Sequence, residues 1–143
     1  MPQQSLIDAA KAPVIAFGEK NWNALMTCVT AGVLYDEVPT QRKTRGIEHL
    51  LECWMGWSNA FPDAKATFHS PHVSGSTVVL EVTWHGTHRG PLETPGGRIP
   101  ATGRPVEVPA CLIVEIEEGK AKSLRHYFDM ATLLQQIGIA KAA

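Results

Sequence analysis

One carboxylate, Asp129, stands where the strand-like "RHYFD" gives way to the helix-like "MATLLQQIG", within residues 125–138. A carboxylate at such a junction has two uses. It can cap the next helix by accepting a backbone N–H, or it can move a proton. Alternate residues of a strand face opposite sides, so Arg125, Tyr127 and Asp129 share one face and Leu124, His126 and Phe128 the other. The first set lines up a cation, a phenol and a carboxylate. In "VVLEVTWHGTHRG" (78–90), Leu80, Val82, Trp84 and His88 make an apolar wall ending in an imidazole, opposite Glu81, Thr83, His85 and Arg89. In "VLYDEV" (33–38), Tyr35 and Glu37 project together, away from Asp36. A cavity lined by Trp84, His88, Tyr127 and Asp129, with Tyr35, Glu37 and Arg125 beside it, would suit a flat, apolar, carbonyl-bearing ligand. On this reading His126, facing the other way, is structural or at a subunit contact.

These side chains need a frame, and the chain supplies helices first, then strands, then a closing helix. Leu6, Ile7, Ala10, Val14 and Phe17 recur at helical spacing over residues 3–18, with Pro13 placed to kink or split the segment. Asn21 can cap a short helix over 21–29, and "VLYDEV" ends at Pro39. After the polar loop "TQRKTRG", apolar positions from Ile47 to Trp57 give a third helix over 47–60. Three β-segments follow, 65–73, 77–89 and 104–117, and "EEGK" turns tightly into a last strand, 121–128. Helices segregated from mainly antiparallel strands indicate an α+β fold, a curved sheet wrapped around helices.

Bulk composition narrows the function. The chain has 143 residues, 44% hydrophobic and 19% charged, with a formal net charge of −1, the profile of one globular domain. No Lys/Arg run suggests nucleic acid or an anionic membrane as a partner, and no apolar stretch is long enough to span a bilayer. Cys28, Cys53 and Cys111 are odd in number and far apart, which fits reduced thiols in a cytoplasmic protein. His69 with His72, and His85 with His88, are three apart on strands and so point to opposite faces. No metal site is expected from them.

Residues 89–105, "RGPLETPGGRIPATGRP", are too rich in Gly and Pro for a strand and long for a hairpin loop. Such a loop serves as a lid, a binding loop or a subunit contact. In the strand that follows, Val106, Val108, Leu112, Val114 and Ile116 share one side, while Cys111 and Ile113 share the other. A strand apolar on both faces needs covering twice, so a homodimer or larger homo-oligomer through the sheet is expected.

"GTHRG" (86–90), "PATGRPVEVP" (100–109), "EEGKAKSLRHYFD" (117–129) and "ATLLQQIG" (131–138) together resemble the SnoaL-like polyketide cyclase family. That family belongs to the wider nuclear transport factor 2-like and ketosteroid isomerase-like superfamily of cone-shaped folds. "DEVPT" (36–40) followed by "RG" and a helix is similar to its first strand and third helix. The resemblance implies a cofactor-independent enzyme acting beside a carbonyl of a hydrophobic small molecule, with Asp129 as general acid/base. An apolar pocket would raise a buried carboxyl toward working pH, and His88 or Tyr127 could donate a hydrogen bond to the oxyanion. Isomerase-like members place an Asp directly before the proline that ends the first strand; here Val38 stands there, with Glu37 one residue back. Two alternatives stay open. A limonene-epoxide-hydrolase-like enzyme would need two carboxylates and an arginine around one water, and a binding module would need no chemistry at all.

Overall fold

The computed structural model describes residues 2–139. Two helices, α1 (Gln3–Glu19) and α2 (Trp22–Thr27), lead into strand β1 (Val29–Glu37). A 3-10 turn (Val38–Thr40) follows, then β2 (Arg42–Arg45) and helix α3 (Ile47–Ala60). Strands β3 (Lys65–Phe68), β4 (His72–Ser74) and β5 (Thr77–Thr87) come next, then the short pair β6 (Leu92–Thr94) and β7 (Gly97–Ile99). The long strands β8 (Pro105–Glu117) and β9 (Lys120–Phe128) and helix α4 (Met130–Gln136) close the described chain. The main sheet runs β2-β1-β9-β8-β5-β3, with β4 also on β5. Its neighbours are antiparallel except β1 and β9, which are parallel. This is the expected α+β architecture, with N-terminal helices against a mostly antiparallel sheet.

Local chemistry explains most boundaries. Asn21 caps α2, its side-chain oxygen accepting from Ala24 N at 3.0 Å. The β8–β9 hairpin turns on Glu118 and Gly119, both at positive φ (51° and 77°), the mirror-type turn that matches strand twist. Helix α1 does not split at Pro13. The stripe Leu6, Ala10, Val14 and Phe17 is buried on either side of the proline, and that packing outweighs one missing hydrogen bond.

Three further expectations are corrected. "RKTR", read as part of a loop, is β2, an edge strand that needs only backbone pairing with β1 and buries no apolar stripe. The segment 65–73 is two strands, because β3 and β4 pair with different stretches of β5. The 89–105 loop contains the β6–β7 hairpin, turning at "TPGG". His88 ties down both ends of that loop: its N–H donates to the Arg104 carbonyl (2.9 Å), and its own carbonyl accepts from Gly103 N (2.7 Å). At Gly90 a Cβ would collide with the Asn59 carbonyl at the end of α3, so the loop can pass there only as glycine.

Register fixes which side of the sheet is inside. Tyr35 lies beside Leu124 and Glu37 beside His126, and His126 is level with Leu112, which is level with Leu80. Val108 is level with Trp84. Tyr35, Leu124, Leu112 and Leu80 of this row form the main core with Leu6, Phe17, Leu50 and Trp54, and Val108 belongs to a second cluster with Phe61, Leu92, Leu133 and Ile137. The opposite row contains Leu34, Asp36, Arg125, Tyr127, Ile113 and Cys111.

Candidate functional site

Between the inner sheet face and helices α1, α3 and α4 lies a cavity of about 80 Å³. Phe17 of α1, Trp54, Trp57 and Phe61 at the end of α3, Tyr35 of β1 and Trp84 of β5 supply most of its walls, with Phe128 and Leu133 closing one end. Trp54 and Trp57 reach it together because residues three apart share a helix face. Two buried side chains with polar groups, Tyr35 (2% exposed) and His126 (8% exposed), line this wall.

His126 is one member of a hydrogen-bonded series. Trp84 Nε1 donates to its Nε2 (3.2 Å), and its Nδ1 lies 2.9 Å from the Tyr35 hydroxyl. Tyr35 donates in turn to Glu37 Oε2 at 2.7 Å. Indole N–H can only donate, so Nε2 must accept and the imidazole proton sits on Nδ1, pointing at the Tyr35 oxygen. The tautomer follows from the donors around it.

Glu37 anchors the series. It is fully buried, and Oε2 also accepts from Trp57 Nε1 (2.9 Å) and from the Cys53 thiol at 3.7 Å. Oε1 accepts from Thr40 Oγ1 (2.6 Å) and from Arg42 Nη2 (3.0 Å), the guanidinium reaching in from a half-exposed position. Burial pushes its carboxyl up, but the hydrogen bonds from Thr40 and Tyr35 and the charge of Arg42 outweigh this, so it is held below the usual range. Glu37 is therefore an anion with every oxygen occupied. Burial, then the charge of Glu37, keeps the Tyr35 phenol protonated far above its ordinary value. Burial lowers His126 to about 4, with Glu37 opposing.

A pH dependence follows. Free imidazole titrates at 6.5 and folded His126 at about 4, so between these values the unfolded chain binds a proton that the fold refuses. The stability this residue contributes is complete above pH 6.5 and is lost as pH falls toward 4, about 3 kcal/mol at ~1.4 kcal/mol per pH unit. Urea midpoints at pH 7.5 and 4.5 check it, and His126→Gln is expected to remove the larger share of the difference. Glu37, with its depressed value, adds its own loss only at more acid pH.

The expected placements divide cleanly. Tyr35, Trp84 and Glu37 come together as anticipated, Tyr35 and Trp84 on the cavity and Glu37 directly behind. Arg125, Tyr127 and Asp129 do not face the cavity. Arg125 and Tyr127 lie on the outer row, Tyr127 being 43% exposed. Asp129 is exposed at the start of α4, accepting from Thr132 N (3.0 Å) and Thr132 Oγ1 (2.7 Å) as its N-cap. His88 is buried but outside the cavity wall. It stacks on the back of Phe61 (5.3 Å) and meets Thr102 through Nδ1. Burial lowers its pKa, with the Gly90 backbone opposing.

His126 is the residue that reading by parity missed. Strand alternation groups residues correctly but does not say which group is inside. The apolar neighbours Leu124 and Phe128 were the available signal, because the face they share with His126 is the one that buries. Among the described residues, no cluster of three His, Cys, Asp or Glu side chains is placed to hold a metal ion. His69 and His85 instead meet Thr83 and Thr67 across the sheet. Among the same residues no helix is long and apolar enough to cross a membrane.

Comparison with known proteins gives the fold a family. A proposed SnoaL-like polyketide cyclase from Jannaschia sp. CCS1 superposes with a TM-score of 0.84 at 17% identity, covering 96% of this chain and 94% of that one. IdmH, a proposed polyketide cyclase from Streptomyces antibioticus, gives 0.78 at 23% identity over 93% and 98% of the two chains. An LEH-like epoxide hydrolase from M. tuberculosis gives 0.72 at 16% identity over 94% and 90%. At these identities the likeness establishes the fold alone. A search of curated proteins finds no match. The sequence profile of SnoaL-like polyketide cyclases matches residues 8–137. With nine-tenths of its length matched, the chain belongs to the SnoaL-like polyketide cyclase family.

Proposed function

We propose that this protein performs acid/base chemistry beside a carbonyl of a small, largely apolar substrate, with His126 as the group that meets the substrate. The observation that carries this is the series Glu37–Tyr35–His126, running from a buried anion to the wall of an aromatic cavity. A lone imidazole lowered to about 4 is a feeble base. In series it need not hold the charge. Nε2 takes a proton from the carbon beside the carbonyl, Nδ1 passes its own proton to the Tyr35 oxygen, and the phenol proton goes to Glu37. The imidazole and phenol end neutral, and the negative charge has moved from Glu37 to the enolate. Trp84, released from Nε2 by the substrate, is the donor best placed for the enolate oxygen. Such an enolate can attack a second carbonyl of the same molecule and close a ring, and the steps require no metal or cofactor.

The epoxide-hydrolase reading is less favoured, because it needs a second carboxylate and free oxygens for a water. Both Glu37 oxygens are already taken, and Asp129 is committed to its cap. A test that needs no natural substrate is deuterium exchange into a panel of 1,3-diketones in D₂O, followed by proton NMR. Exchange above the buffer rate supports the proposal. Its absence across the panel, with bound diketone visible in the same spectra, leaves a binding protein.

We also propose that the outer sheet row, where Leu34 and Tyr127 are exposed and Cys111 and Ile113 are half-buried, is covered by a second copy of the chain. Light scattering should then return twice the 15.6 kDa chain mass at micromolar concentration. A monomer would count against it.

A further inference from the structure

The polar series accounts for one corner of the cavity; the remaining walls carry a separate message about what the cavity holds. Phe17 meets Trp54 at 82° and Trp84 at 84°, with centroids 5.6 and 5.5 Å apart. Tyr35 meets Trp54 at 84°, and Trp57 meets Phe128 at 88°. A flat neutral ring is best held in a slot between parallel walls. Trp57 and Phe61 stand nearly parallel (25°, centroids 6.2 Å apart), but the rings of Phe17, Trp54, Trp84, Tyr35 and Phe128 meet their neighbours at right angles and make the rest of the wall a box, which fits a rounded group.

The charge pattern selects the sign of that group. Among the described residues no lysine or arginine lines the cavity; of its two histidines, His126 has its pKa lowered by burial to about 4 and is neutral at ordinary pH, and His85 is exposed, its imidazole meeting Thr67 at 3.1 Å. Two of the lining side chains, Tyr35 and Trp57, donate their polar hydrogens outward to the ionised Oε2 of Glu37, which makes their rings richer in electrons. Arg42 compensates that anion from the far side, on Oε1, at 42% exposure. The negative end of the pair therefore points toward the cavity. Electron-rich aromatic faces without a competing cation are the recognised means of binding an alkylated ammonium.

We propose that the cavity binds a compact organic cation, a quaternary or tertiary ammonium group, and that the ligand carries its reactive carbonyl beside that nitrogen. The first half stands on the box alone. The second rests on the acid/base reading above, and it is chemically consistent with it, because a cationic nitrogen acidifies the neighbouring carbon and so suits a weak base.

The experiment is a matched titration, following tryptophan fluorescence and calorimetry, of choline and its neutral isostere 3,3-dimethylbutan-1-ol. The two share shape and hydroxyl and differ in charge. Choline is expected to bind at least ten-fold tighter, and Trp54→Leu to reduce that ratio several-fold. Should the leucine variant not fold, the wild-type ratio decides. Equal binding, tighter binding of the alcohol, or no choline binding up to tens of millimolar would overturn the proposal. The outcomes separate from those of the exchange assay. A strong preference for choline with no exchange into any carbonyl compound sinks the chemistry and keeps the box. Exchange into neutral diketones with no preference for choline does the reverse.

Discussion

Glu37→Gln is expected to cost about 3 kcal/mol of folding stability, although it removes one oxygen and no volume. The carboxylate accepts from Tyr35, Trp57, Thr40 and Arg42, and an amide cannot replace it at all four. Whichever oxygen becomes nitrogen sets an obligate donor, Arg42 on one side or Trp57 on the other, against an amide N–H, and the Thr40 or Tyr35 hydroxyl beside it must turn to accept. Leaving buried donors unmet costs roughly 1–3 kcal/mol each, and removing one partner of a buried ion pair costs about 3–5 kcal/mol. The half-exposed guanidinium of Arg42 recovers part of this by turning to water. Urea denaturation at pH 7.5 checks the figure. A change under about 1 kcal/mol would mean that the carboxylate is not the anchor described.

That anchor was partly legible in the amino-acid sequence. Tyr35 and Glu37 alternate on one short strand, and their common direction needs only the two-residue period of a strand. What decides their role is not local. Glu37 meets His126 because β1 and β9 pair in parallel across nearly ninety residues, and Trp57 reaches Oε2 from a helix twenty positions on. The same limit explains the inverted reading of β9. Alternation sorted its residues into the right two groups, yet a cation, phenol and carboxylate in series drew attention to the solvent face. The weaker-looking Leu124, His126 and Phe128 face, two apolar residues around an imidazole, is the one that buries. Asp129 carried two readings from the start, and its bonds to Thr132 realise the capping one. The helices and the long strands were legible because their apolar periods extend over many residues. Strand β2 was not, because "RKTR" owes its conformation to an edge and has no apolar period to show.

His126→Gln carries the largest expected effect on turnover. The amide oxygen can accept from Trp84 and the amide nitrogen can donate to Tyr35, so the shape and both hydrogen bonds of the series survive. What is lost is the ability to take a proton at one end and release one at the other. Loss of a general base typically lowers rate by about 10²–10⁴-fold. Tyr35→Phe, which breaks the series one link further back, should leave imidazole facing substrate but strand it without its path to Glu37. It is a positioning residue, and its signature is an exchange rate that falls while diketone affinity holds.

Deuterium exchange into a diketone, measured side by side for the wild type, His126→Gln and Asp129→Asn, tests the assignment of the site most directly. Asn caps a helix about as well as Asp, so the Asp129 variant keeps its fold whichever reading is right. The cavity geometry predicts wild-type exchange for Asp129→Asn and a loss of at least 100-fold for His126→Gln. The opposite pattern, with His126→Gln active and Asp129→Asn dead, would return the chemistry to the end of the last strand and contradict the site described.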